Sequence, residues 1–363
     1  MTIEKMLLGT NSGGPTISAS SQSVFESASS DQISIALGNG KMVVVYRDAG
    51  NSSYPTLVVG EVVSGVASFG TPLQLNNVSG IPTVCHDASL DKFVITYQHG
   101  TTQHTHVGTV TGLTMSLGTV SNIATTSNYS HITAYGGKAY FVGSSGSSKC
   151  FLYVGTISGT DITWGPSNTI QGGTCVYIGV AYDVAQDKVV VSYDYNQIKY
   201  MKVGTITGTS VSFGAAYTFH SGLRTFDASL IYDPNNNNII ASYRDYAGWT
   251  TGYVKICTIS GTTVTCGATN QIYSGFVGSI NSTLDADGNL VTVYSKSDTS
   301  YHGEAVVSVI DGTSLDVGAS VVYNSNGRTD YSWVDYDSNG NSVVAYQDDG
   351  NSSYGTSSVL TTA

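Results

Sequence analysis

The chain is predicted to be all-β, a seven-bladed β-propeller with four-stranded blades of about 50 residues. Three observations predict it. An apolar run ending in tyrosine recurs at near-constant spacing. Each recurring unit parses into four short strands. The first and last units are complementary fragments of one repeat.

The runs are Val43-Val44-Val45-Tyr46, Val94-Ile95-Thr96-Tyr97, Val190-Val191-Ser192-Tyr193, Ile240-Ala241-Ser242-Tyr243, Val291-Thr292-Val293-Tyr294 and Val343-Val344-Ala345-Tyr346. Tyr140-Phe141-Val142-Gly143 is a degenerate copy with glycine in the tyrosine place. The anchors at 46, 97, 143, 193, 243, 294 and 346 are 51, 46, 50, 50, 51 and 52 residues apart, which makes seven units. No window of a dozen residues carries helical periodicity, and Val, Ile, Thr and Tyr dominate, as suits pleated surfaces.

In the second unit strand A is expected at Pro82–Asp87, B at Lys92–Gln98, C at His104–Val110, and D from Met115. The last unit stops after Ser357-Ser358-Val359-Leu360-Thr361, without a strand D, while some thirty residues precede strand A of the first, near Gln32–Leu37. Residues 1–31 are therefore expected to close the ring and lead into the first blade, making 1–363 one domain. Leu7-Leu8-Gly9-Thr10 matches Ser68-Phe69-Gly70-Thr71 of a strand D, so Met6–Thr10 is placed beside Ser357–Thr361 with Leu8 facing Leu360. Closure by the chain's own N-terminus leaves no open sheet edge.

The C–D hairpin carries a pairing rule. Folding Val203–Phe213 about its Thr-Gly turn sets Ile206 against Val211 and Gly204 against Phe213, and the same arithmetic pairs Gly60 with Phe69, Gly108 with Leu117 and Gly155 with Trp164. A large side chain over a glycine contributes about 0.2–1 kcal/mol per pair. Ser308 and Val317 repeat the small-against-large rule, and Cys257 and Cys266 come into opposition, within reach of a disulfide or as two packed thiols. Cys85, Cys150 and Cys175 take positions held by small or apolar residues in sister units and are read as core.

The A–B turns Asp285-Ala286-Asp287-Gly288-Asn289 and Asp337-Ser338-Asn339-Gly340-Asn341 lack the glutamate of a calcium loop and read as tight turns. His104 and His106 share one face of a strand, with His99 or His86 as a conceivable third ligand, but partly buried or surface histidines account for them and no metal or other cofactor is assigned. The B–C loops are the candidate binding elements: Arg47, Asp48, Asn51 and Tyr54 in the first unit, Arg244, Asp245 and Trp249 in the fifth, and Asp348, Asn351 and Tyr354 in the last. Polar groups beside aromatic rings suit carbohydrate, whose hydroxyls need hydrogen bonds and whose ring face stacks. The competing assignment is that Asp48 and Asp348 satisfy their own loops while Tyr54 and Tyr354 pack on the blade edge.

Catalytic signatures are absent: there is no GxSxG, HExxH or phosphate-cradling loop, and nothing singles out a carboxylate pair, so no enzymatic activity is expected. The net charge of −11, with only 14 Lys plus Arg, argues against nucleic acid, and no stretch approaches a membrane-spanning helix.

The loop Tyr46-Arg47-Asp48-Ala49-Gly50-Asn51-Ser52-Ser53-Tyr54, followed by Val-Gly, a turn and Ser68-Phe69-Gly70-Thr71-Pro72, resembles repeats of tailed-phage virion proteins and of related bacterial proteins. The match is clearest at Tyr46–Pro72, Tyr193–Gly214 and Tyr346–Thr356. The resemblance implies a non-enzymatic tail, fibre or head-decoration protein, assembled into a virion in host cytoplasm. Its partners would be virion proteins or host surface glycans, with a homo-oligomer as an open alternative. A soluble, extracellular, lectin-like propeller is the second reading and a carbohydrate-active enzyme the third.

Overall fold

The computed structural model describes residues 14–125, 127, 129–145, 149–221, 225–245, 251–297, 301–337 and 340–363, with the backbone alone described at 225–228. The described chain is all-β and built of antiparallel sheets in which the three longer strands of each unit pair in sequence order. The second unit is β7 (Pro82–Asp87), β8 (Lys92–His99), β9 (Thr102–Thr111), β10 (Thr114–Leu117) and β11 (Ser121–Ile123), in the order β10-β9-β8-β7 with β11 also on β9. The third is β12 (Ser130–Tyr135), β13 (Lys138–Ser144), β14 (Lys149–Ser158), β15 (Asp161–Trp164) and β16 (Asn168–Gly172). The fourth is β17 (Val176–Asp183), β18 (Lys188–Tyr195), β19 (Ile198–Thr207), β20 (Ser210–Phe213) and β21 (Tyr217–Ser221). In the fifth, β22 (Thr225–Asp233), β23 (Asn238–Asp245), β24 (Thr251–Ser260) and β25 (Thr263–Tyr273), and the sixth, β26 (Val277–Leu284), β27 (Leu290–Lys296), β28 (His302–Asp311) and β29 (Ser314–Asn324), the two short outer strands fuse into one.

The first and last units share one nine-stranded sheet, because β2 (Ser23–Gly38) serves both. Its C-terminal half pairs with β3 (Lys41–Asp48), followed by β4 (Tyr54–Val63), β5 (Val66–Phe69) and β6 (Leu73–Gln74). Its N-terminal half pairs with β32 (Tyr354–Thr362), beside β31 (Ser342–Asp348) and β30 (Thr329–Tyr336). β1 (Ile17–Ala19) extends that pairing, with Ala19 opposite Leu360. This corrects the expected closing strand. The partner of Leu360 is Ala19 rather than Leu8, and Met6–Thr10 lies outside the described residues. Ile17 and Ala19 are the residues that pack on the Val344–Tyr346–Leu360 cluster, so burial sets the register there.

The pairing rule for the hairpins is observed: Gly60↔Phe69, Gly108↔Leu117, Gly155↔Trp164, Gly204↔Phe213 and Ser308↔Val317 are all register partners. Cys257 and Cys266 are opposed, with Cα atoms 3.9 Å apart, and bridged. Cys150 and Cys175 are also bridged, at a Cα separation of 5.8 Å. Their reading as core is half the story: both are fully buried, yet strand β14 and the loop before β17 bring them within bonding reach, which spacing in sequence does not reveal. Cys85 is buried and free.

The apolar runs are second strands with both faces covered, which is why they read as continuous rather than alternating. Val43 to Tyr46 and Val343 to Tyr346 have no accessible surface, and Tyr46, Tyr140, Tyr193, Tyr243 and Tyr346 fill the space between sheets. First strands of successive sheets touch one another: β2 meets β7, β7 meets β12, then β17, β22, β26 and β30, and β30 meets β2. The architecture is that of a propeller-like stack of sheets with these strands innermost.

A second device links neighbouring sheets at the rim. The glycine that follows Phe69, Leu117, Trp164, Phe213 or Cys266 abuts the C–D turn of the next sheet. A Cβ on Gly70, Gly118, Gly165, Gly214 or Gly267 would collide with Leu113, Thr160, Thr209, Thr262 or Thr313 respectively. At Gly318 a Cβ would collide with the Val307 carbonyl of its own sheet, with the Pro15 carbonyl next at 3.3 Å.

Candidate functional site

The twin B–C loops are built alike. After β3, Asp48 caps a 3-10 turn, Ala49–Asn51, its carboxylate accepting the Asn51 N–H at 3.0 Å. After β31, Asp348 caps Asp349–Asn351 and accepts the Gly350 N–H and the Asn324 side-chain amide, each at 3.1 Å. Ser52, Ser53, Ser352 and Ser353 all hold φ near +60°. Tyr54 and Tyr354 lie opposite Asp48 and Asp348 in the register and are half-buried. Segment 28–30 joins the two loops: Ala28 covers Gly50, and the Ser30 N–H donates to the Ser353 carbonyl at 2.9 Å. Asn51 donates to Gln74, and Asn351 is half-buried. Both aspartates are therefore engaged with their own turns, and burial raises the Asp48 carboxyl despite bonds from Asn51 and Gly50.

The arginines on this face are each engaged with a neighbouring group. Arg47 grips Asp31 with two bonds of 2.5 and 2.6 Å. Arg244 donates to the Val277 carbonyl at 3.0 Å, at the start of β26. Arg328 pairs with Asp330 at 2.6 Å and lies over the Tyr301 ring. Asp245 meets the ring of His220 at 3.1 Å. Burial lowers the His220 pKa, with the neighbouring Lys255 and Lys199 adding to that and Asp245 opposing it. Trp249 lies outside the described residues. His99 stacks on His104, and His106 bonds the Gly118 carbonyl and the Tyr97 hydroxyl.

Sequence reasoning missed the centre of this face. The first strands carry a shared irregularity: the ladder slips between Asp31 and Ser34, Val176 and Gly179, Phe226 and Ser229, Val277 and Ile280, and Asp330 and Trp333. Bulges of this kind re-aim side chains. Gln32, Tyr177 and Tyr331 sit in them at φ of 51°, 50° and 51°, a region that is costly for ordinary residues. These three, with Tyr129, Ser130 and Trp333, line a cavity of about 260 Å³ to which every first strand or its lead-in contributes. A second cavity of about 330 Å³ lies further along the same strands, lined by His86, His131 and Asp335. Trp333 lines both, its ring 5.1 Å from that of His131. Among the described residues no aspartate or glutamate lines the first cavity.

No protein-family profile matches the chain, and no curated protein matches it in sequence. Solved structures do match. A protein of unknown function from Dyadobacter fermentans DSM 18053 superposes with a TM-score of 0.59 at 12% identity, over 95% of this chain and 99% of that one. An ulvan lyase, a polysaccharide lyase bound to a GlcA(1-4)Rha3S saccharide, gives 0.59 at 12% identity, over 93% and 95%. An α-L-arabinofuranosidase from Fusarium graminearum, in complex with an iminosugar inhibitor, gives 0.51 at 13% identity, over 76% and 91%. At such identities the likeness is one of fold, and it is to propeller-like proteins. None of these three is described as a virion protein. Two are enzymes, which overturns the expectation that this chain is non-enzymatic: absent motifs exclude the mechanisms that those motifs serve, not catalysis on this fold.

Proposed function

We propose that the chain is a single seven-bladed propeller, residues 1–363, that takes a carbohydrate at the mouth of its central channel. The order of contacts among the first strands, which returns from β30 to β2, supports the ring. The carbohydrate reading rests on one observation above the others. Tyr129 and Tyr331 are 40% and 39% exposed beside the first cavity, where Gln32, Ser130 and Ser279 offer hydrogen bonds. A sugar needs this pairing of flat apolar surface with amide and hydroxyl groups. The two carbohydrate-directed enzymes among the neighbours point the same way. Among the described residues, the loop positions Arg47, Asp48, Asn51, Tyr54, Arg244, Asp245, Asp348, Asn351 and Tyr354 do not line that cavity. A tail or fibre adhesin would use the same mouth on surface glycans, and a lectin-like extracellular propeller would do likewise.

Affinity electrophoresis against a set of soluble polysaccharides tests this reading. The chain is expected to be retarded by at least one of them, and Tyr331→Ala and Tyr129→Ala are each expected to weaken retardation about tenfold, the loss of one stacked ring of roughly 1.4 kcal/mol. Unretarded migration in every polysaccharide, or wild-type retardation by the double variant, would overturn it.

A further inference from the structure

The second cavity holds a carboxylate and no cation. Asp335 of β30 lines it, and among the described residues no lysine or arginine does. The groups that bond the Asp335 carboxylate are neutral: the Leu37 N–H at 2.7 Å, the Tyr336 N–H and the Thr283 hydroxyl. Two histidines share the wall. Burial lowers the His131 pKa to about 4, and burial also lowers that of His86, against the pull of Asp91 at 3.2 Å. Neither imidazole therefore carries a positive charge near neutral pH. At or just past the far ends of the first strands lie five more buried aspartates, Asp87, Asp183, Asp233, Asp285 and Asp337, each bonded by N–H groups of its own turn. The whole chain has 25 Asp plus Glu against 14 Lys plus Arg. A recess walled by one sign of charge concentrates ions of the other sign.

The route from the mouth to Asp335 is aromatic. Tyr129, Tyr177 and Tyr331 line the first cavity, and Trp333 lines both. Asp335 follows Trp333 by two residues on the same strand, about 7 Å further along. Aromatic rings accept the apolar face of a sugar and also attract an ammonium. No lysine or arginine lines the first cavity either, among the described residues. Lys199 donates to the Tyr177 carbonyl at 3.2 Å, but it lines neither cavity and is the register partner of the buried Asp194.

We propose that the two cavities together take a glycan of amino sugars with free ammonium groups, its sugar faces against the aromatic rings of the first and an ammonium against Asp335 in the second. This rests on the carbohydrate reading above and names the class of sugar. A uronate-bearing or sulfated glycan would bring its anion to a recess whose own charge is negative, at a cost in repulsion and desolvation. An N-acetylated sugar has the same ring and linkage but no charge to offer Asp335. A free amino sugar supplies both the ring and the cation that these walls lack.

The test is titration calorimetry on the full chain at low salt and about pH 6.5, with tetramers of β-1,4-linked glucosamine and of N-acetylglucosamine as probes. The glucosamine tetramer is expected to bind at least about tenfold more tightly. Asp335→Asn keeps an acceptor for Leu37 and is expected to weaken the glucosamine tetramer about tenfold while changing the acetylated one less than about twofold. Equal binding of the two tetramers by the wild-type protein would overturn the proposal, and that comparison needs no variant to fold. A preference that survives in Asp335→Asn would come from the bulk of the acetyl group and would overturn it too. Tetralysine, which has ammonium groups and no sugar ring, is expected to bind at least about tenfold more weakly than the glucosamine tetramer. Equal binding of tetralysine would overturn a glycan as the ligand of this site. Retardation by neutral polysaccharides with no preference for glucosamine would overturn this proposal and leave the carbohydrate reading standing. Absence of retardation by any polysaccharide, with neither tetramer bound, would overturn both.

Discussion

Ala19 stands directly opposite Leu360, so the sheet formed by the last strands of the chain is completed by residues from its beginning. Around that pair, the Thr16 N–H donates to the Ala363 carbonyl and the Ser20 N–H to the Val359 carbonyl, each at 2.8 Å, and the Val359 N–H donates to the Ser20 hydroxyl at 2.9 Å. Removing residues 1–22 takes these bonds and the packing of Ile17 together. At about 1 kcal/mol per net bond the expected cost is about 3 kcal/mol, or roughly 5 °C in melting temperature by scanning calorimetry. An unchanged melting temperature would show that this pairing contributes nothing.

The rim glycines allow a matched comparison. A Cβ on Gly118 would strike the Thr160 carbonyl oxygen, which belongs to backbone and cannot swing away, whereas a Cβ on Gly172 would meet nothing within 4 Å. Gly118→Ala is expected to lose about 2 kcal/mol of unfolding free energy in urea titration, and Gly172→Ala to change it little. Equal effects in the two variants would remove the sheet-to-sheet contact as the reason for glycine at this rim position.

The cysteine pairing predicts a thiol count. Denatured without reductant, the oxidised protein should expose one reactive thiol, Cys85, out of five cysteines. Replacing Cys150 and Cys175 together by alanine should cost about 3 kcal/mol for the 25-residue separation, somewhat more than the loss of the 9-residue bridge between Cys257 and Cys266. Five titrating thiols in protein matured under oxidising conditions would contradict both bridges.

Burial pushes the Asp335 carboxyl up to about 6, against the opposing bond from the Leu37 N–H at 2.7 Å. A carboxyl with a higher pKa folded than unfolded binds more protons in the native state, so its contribution is present in full below about pH 4 and is lost as pH rises through 6. Asp335→Asn keeps an acceptor for Leu37 and removes the ionisation. The variant's melting temperature relative to wild type should therefore rise between pH 4 and pH 7, by the equivalent of about 1–2 kcal/mol. A difference independent of pH would show that Asp335 ionises freely in the folded protein.

Much of the fold could be read from the chain because a repeat states itself several times. The runs ending at Tyr46, Tyr193 and Tyr346 are buried on both faces, and burial of that kind leaves no polar alternation to confuse the count. The register of the closing strand could not be read in the same way. β2 pairs first with β32 and then with β3, slipping at Glu26 and again near Gln32, and a strand that changes partners leaves no periodic trace. In the site, turn chemistry was legible: Asp48 and Asp348 cap the loops that their Asp-x-Gly-Asn pattern implies. The mouth was not, because Gln32, Tyr177 and Tyr331 share a backbone conformation rather than a residue type.

The strand pair at the chain ends also has a consequence in time. Ser18 donates to the carbonyl of Thr361, 343 positions later. At roughly 5–20 residues per second on a ribosome, Ile17–Ala19 waits about 20–70 s for its partner to be made. Throughout that wait the nascent chain exposes an unsatisfied strand near its start, and whatever shields it during translation decides how much of the protein reaches the closed state.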